Sequence, residues 1–76
     1  MIKFTIFKFV KGQKVKIYKP GSIYDGFSCF ITERQPRHNP NLYIVETISG
    51  KSLALYETEL ESLWEHDRRV GLHNLI

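Results

Sequence analysis

Phe9-Val10-Lys11-Gly12-Gln13-Lys14-Val15-Lys16-Ile17 is a turn feeding an alternating strand, and the same grammar continues to Leu60. In Lys14-Val15-Lys16-Ile17-Tyr18-Lys19, Val15 and Ile17 face a core while Lys14, Lys16 and Tyr18 face water. Pro20-Gly21 stops that strand, because proline has no N–H to donate and glycine tolerates positive φ. After the Asp25-Gly26 turn, the run from Phe27 to Glu33 reads as a second strand, with Phe27, Cys29 and Ile31 on one face. The polar loop Gln35-Pro36-Arg37-His38-Asn39-Pro40-Asn41 separates it from a third strand, Leu42 to Ile48. Ser49-Gly50 reads as a tight hairpin turn into a fourth strand, Lys51 to Tyr56. This spacing predicts a mainly β fold, a small closed barrel of about five strands.

Outward from that stretch, Ile2 to Phe9 alternates in part and reads as an added N-terminal strand. At the other end Thr58-x-x-Glu61 fits a capping box, with Leu60, Leu63 and Trp64 at helical spacing behind it. Early Glu57, Glu59 and Glu61, late Arg68 and Arg69, and Gly71 as a cap predict a short helix over about 59–69. A competing reading makes Thr58 to Leu60 one turn and Glu61 to Trp64 a closing strand.

Seventy-six residues make one domain, 1–76, near the lower limit for folding without a staple. A hydrophobic share of 42% with ten aromatic rings is too apolar for a disordered chain and rich enough to build a small core. One cysteine allows no internal disulfide, so Cys29, set among Phe27, Phe30 and Ile31, reads as a small buried hydrophobe. Met1 is followed by no leader pattern, and Ile2 to Val10 is too short and too charged to span a bilayer. A reducing cytoplasm and no membrane partner are the expectation.

The net charge of +3 is unevenly distributed. Residues 1–38 carry eight Lys and Arg against two acids, and residues 39–76 carry three against six. The chain therefore runs from +6 to −3 along its length.

Little in the chain suggests catalysis. The histidines at 38, 66 and 73 and the lone cysteine have no metal-ligand spacing, so no metal and no cofactor are expected. Gly21 and Gly26 lack the Lys-Ser/Thr of a phosphate loop, and the acid pair Glu57/Glu61 has no apolar setting that would raise a pKa. Two surface sets remain. Lys14, Lys16, Lys19, Arg34 and Arg37, with His38 and the rings of Tyr18, Tyr24 and Tyr43, suit single-stranded nucleic acid; alternatively, the lysines simply solubilise and guard a strand edge. The hydrophobics Leu60, Leu63, Trp64, Val70, Leu72, Leu75 and Ile76 either cover the barrel end or form a patch for a partner or a homodimer.

Gly12-x-x-Val15-x-Ile17, the Gly26 loop, Cys29-Phe30-Ile31, Tyr43-x-Val45, Gly50 and Glu57-x-Glu59-Leu60 together resemble the SH3-like small barrels, including KOW-type and prophage-encoded members. The resemblance covers about two-thirds of the chain and implies a non-enzymatic binding protein. At this size it looks like a small phage or mobile-element protein that obstructs a bacterial host protein of the replication or transcription machinery. On that reading Glu57, Glu59, Glu61, Glu65 and Asp67 press against a basic, DNA-binding host surface, with Trp64 as the aromatic anchor. The alternative is a KOW-like nucleic-acid module using the basic strand and loop.

Overall fold

The structure, a computed structural model, describes residues 6–74. Five strands form one antiparallel sheet: β1 (Lys14–Ile17), β2 (Ser28–Gln35), β3 (Leu42–Thr47), β4 (Ser52–Tyr56) and β5 (Leu60–Ser62). A 3-10 turn, Glu57–Glu59, links β4 to β5, and helix α1 (Leu63–Asn74) follows. The strand order is β4-β3-β2-β1-β5. Among the described residues no pairing joins β4 to β5, so the sheet is open there.

Alternation sorts the side chains into two faces. Val15, Ile17, Cys29, Ile31, Tyr43, Val45, Leu55 and Leu60 are all buried on the inner face, with Phe9 packed among them. Burying each such aliphatic or aromatic side chain stabilises the fold by about 1.5–3 kcal/mol. Cys29 is a free thiol within this cluster, and burial pushes its pKa up to about 11, so it stays an unreactive thiol.

Two turns explain the tight spacing. Gly12 at φ 88° lets its N–H reach the Ile31 carbonyl at 2.7 Å, tying the turn before β1 onto β2. The β3–β4 connection is a three-residue loop rather than a two-residue turn. Gly50, at φ 92°, donates to Thr47 O, while Thr47 N–H donates to Lys51 O, both at 2.8 Å. The buried Thr47 hydroxyl accepts the Lys51 N–H at 3.1 Å and shares a hydrogen bond with Ser49, so it carries no desolvation penalty.

Both ends differ from expectation. Residues 1–5 of the expected N-terminal strand lie outside the described residues, and Ile6–Val10 is not a strand. Its N–H groups go to side chains instead: Lys8 to Glu57 at 3.1 Å, Phe9 to the Tyr43 hydroxyl at 3.2 Å, and Val10 to Gln13 at 3.0 Å. The helix begins at Leu63, not near Glu59; a turn at Glu57–Glu59 and a closing strand at Leu60–Ser62 precede it, so the competing reading has the order right but Leu63 and Trp64 belong to the helix and not to the strand. The capping box that starts α1 is Ser62-x-x-Glu65. Ser62 N–H donates to Glu65 at 2.9 Å and Glu65 N–H donates to the Ser62 hydroxyl at 3.0 Å.

Candidate functional site

Three members of the acidic set, Glu57, Glu61 and Glu65, line one groove of about 410 Å³ together with Lys8. Each of these glutamates, and Glu59 as well, is engaged inside the fold. Glu57 accepts from the Tyr43 hydroxyl, from Asn41 at 3.0 Å and from the Lys8 N–H. Glu59 accepts the Tyr56 N–H and pairs with Lys19, both at 2.9 Å. Glu61, buried under α1, takes Arg69 at 2.7 and 3.2 Å and His66 at 2.8 Å. Glu65 pairs with Lys8 at 2.6 Å while capping α1.

All four carboxyls titrate below the ordinary glutamate value, for different reasons. Burial pushes Glu57 and Glu59 up, but their hydrogen bonds and nearby lysines outweigh it. For Glu61 the Arg69 hydrogen bond leads, and for Glu65 the Lys8 hydrogen bond does. A carboxyl held down in this way stays ionised at neutral pH and is a poor proton donor. Among the described residues Asp67 is exposed and makes no hydrogen bond or ion pair. Trp64 is 66% exposed, its ring covered by the Arg68 guanidinium at 5.1 Å. Of the acidic set, Asp67 is the member with no internal partner among the described residues, because Lys8, Lys19 and Arg69 meet Glu65, Glu59 and Glu61 and neutral donors meet Glu57.

The basic set is split as well. Lys14 and Lys16 lie on the outer face of β1, with no ion pair among the described residues. Lys19 is held by Glu59. A register shift between Ile31 and Glu33 turns Arg34 towards the Tyr43 side of the sheet, where its guanidinium covers the Phe7 ring at 5.0 Å. Arg37 is exposed in the β2–β3 loop at φ 71°. Of the three tyrosines expected beside these cations, Tyr43 is fully buried, Tyr24 stacks edge-on against Phe27, and Tyr18 lies under Arg69 at 4.6 Å.

A third surface, outside both sets, is the outer face of β2–β3–β4. Cross-strand register places Phe30 beside Glu46, Glu33 beside Ile44 and Ala54, and Gln35 beside Leu42 and Tyr56. Phe30 and Tyr56 are 42% and 43% exposed, and Ile44 and Leu42 lie half-buried between them. Lys14, opposite Phe30, and the acids Glu33 and Glu46 rim the patch with both signs of charge. Alternation in Leu42 to Tyr56 carries this signal, because every second residue of β3 and β4 that is not core is apolar at one end of the sheet.

At the hairpin end, Phe27, Ser28, Thr47, Ile48 and Ser49 line a second hollow of about 370 Å³ with an apolar wall. Among the described residues no three His, Cys, Asp or Glu side chains are grouped to hold a metal ion, and no helix is long and apolar enough to cross a membrane. Comparison with protein-family models, curated proteins and solved structures found no match.

Proposed function

We propose that this chain is a non-enzymatic protein-binding module of the SH3-like small-barrel type, docking a folded partner on the outer face of β2–β3–β4. Supporting the SH3-like reading are the return of β5 to pair with β1 and the 3-10 turn just before it. The observation that carries the functional reading is the pair of half-exposed rings, Phe30 and Tyr56, flanking Ile44 and Leu42. Large apolar side chains on a sheet face, rimmed by charge, match the centre-and-rim arrangement of protein interfaces. A phosphate-tracking surface needs a run of one sign, and this rim mixes Lys14 with Glu33 and Glu46. A host replication or transcription protein is then a partner met through this face, with the acidic residues holding the module's shape.

The test is side-by-side capture from bacterial lysate with native chain, Phe30→Ser/Tyr56→Ser and Lys14→Glu/Lys16→Glu. Because Phe30 and Tyr56 are outside the core, the first variant is expected to keep its melting temperature within a few degrees and to lose the captured protein by at least tenfold. Retention by that variant would refute the assigned face. Micromolar oligonucleotide binding that falls steeply with salt, and that the lysine variant abolishes, would replace this reading with the nucleic-acid one.

A further inference from the structure

One side of the sheet's outer face already carries a helix. Glu61 stands in register with Lys16, on the face away from the core, and α1 reaches it there through Arg69 and His66. Arg69 also covers Tyr18, the next outward residue after Lys16. On β2, β3 and β4 the outward residues Phe30, Glu33, Glu46, Ala54 and Tyr56 are exposed. Three strands measure about 10 Å from first to last, which is the distance at which one helix packs beside another. The uncovered strip therefore has the width of a single second helix. Its apolar groups run diagonally: Phe30 stands in the row of Glu46, Ile44 in the next row, and Leu42 with Tyr56 in the row after. Phe30 and Tyr56 are thus two strands and four residues apart, about 17 Å, or about eleven residues of α-helix. Glu33 stands on one flank of this diagonal and Glu46 on the other. Neither makes a hydrogen bond or ion pair among the described residues, whereas Glu59, Glu61 and Glu65 are paired off within the fold.

We infer that this strip takes an amphipathic helix of a partner protein, about three turns long, with Lys or Arg on both flanks of its apolar stripe. The inference rests on the reading of the outer face as a protein-docking surface. Leucine-sized side chains at i, i+3, i+7 and i+10 of the helix meet Phe30, Ile44, Leu42 and Tyr56 along the diagonal. Basic residues on either side reach Glu33 and Glu46, and this charge match selects the partner. Lys14, at the Phe30 end of the diagonal, favours the carbonyl end of the helix there. The bound helix lies beside α1 and completes a second layer over the sheet.

The probe is a helical peptide of about 14 residues with leucines at that spacing and lysines on both flanks, set against the same peptide with glutamates for the lysines. Fluorescence anisotropy at low salt is expected to show micromolar binding of the lysine peptide and roughly tenfold weaker binding of the glutamate peptide. The chain's net charge of +3 opposes that order, so the preference reports the local acids. Amide shifts on binding are expected in β2, β3 and β4. Glu33→Lys/Glu46→Lys replaces two exposed acids, so it is expected to melt like the native chain and to reverse the preference. Absence of binding, equal binding of both peptides, an unreversed preference or shifts centred on α1 would each overturn the inference. So would self-association of the native chain that Phe30→Ser abolishes, which would give the face to a second copy. Lysate capture lost by Phe30→Ser/Tyr56→Ser but kept by Glu33→Lys/Glu46→Lys would leave the docking face standing and overturn the basic helix assigned to it. Capture kept by Phe30→Ser/Tyr56→Ser refutes the face itself.

Discussion

Two carboxylates, Glu57 and Glu61, fasten the segment before β1 and helix α1 to the sheet, and they do so by different chemistry. Glu57 is surrounded by neutral donors: the Tyr43 hydroxyl, Asn41 and the backbone of Lys8. Through them it seats the segment that carries Phe9 into the core, and Phe7 and Phe9 stack edge-on against Tyr43 at 5.7 and 5.6 Å. Glu61 is held by the fork of Arg69 and by His66, and it pins α1 over β1 and β5. The first knot organises buried polar groups around the core. The second is an ionic clasp, half open to water on its arginine side. Its strength depends on salt more than that of the Glu57 knot, where the charge of Lys8 makes the smallest contribution.

The largest expected effect follows from the first knot. Glu57→Ala leaves the Tyr43 hydroxyl and the Lys8 N–H without their acceptor, a loss of about 2–3 kcal/mol. For a domain of this size that lowers Tm by roughly 10–20 °C, and a melt within a few degrees of native would show that the knot does not hold the segment. Arg69→Met removes both guanidinium bonds from Glu61 but leaves His66. The expected effect is smaller than that of Glu57→Ala, because the pair is partly exposed to solvent, and is read as helix signal lost before the sheet melts. Raising salt from 0.05 to 1 M should shrink the Arg69→Met penalty, since a partly exposed ion pair is screened, and change the Glu57→Ala penalty much less. Equal salt sensitivity would erase the distinction between the two regions.

This contrast also marks how far the sequence could be read. The alternation of Val15/Ile17 and Cys29/Ile31, with Gly12 and Gly50 as punctuation, made four strands legible and the core face of the first two. The chain's last third was harder because it holds two Ser/Thr-x-x-Glu boxes in succession. Thr58-x-x-Glu61 is the more visible, yet Ser62-x-x-Glu65 is the one that caps a helix. Glu59, Leu60 and Glu61 can extend or turn equally well, and pairing of Leu60 with Ile17 decided the matter, a long-range contact that no local pattern encodes.

The internal partners of the acidic cluster were illegible for a related reason. Linear charge counts cannot show that Lys8, Lys19 and Arg69 come back to meet Glu65, Glu59 and Glu61. Tyr43 offered a clue in retrospect. It falls in register with the buried Val45, which puts it in the core and its hydroxyl in need of a partner.

A carbon-detected NMR titration of the carboxyls of Glu57, Glu59, Glu61 and Glu65 tests most directly whether these glutamates are internal struts. Struts have folded pKa values below their unfolded ones, so their contribution to stability is full above the ordinary glutamate value and is lost as pH falls through the folded value. The prediction is four titrations shifted below the ordinary glutamate range. A solvent-facing acidic cluster would raise them by mutual repulsion, and values at or above the ordinary range would contradict the account.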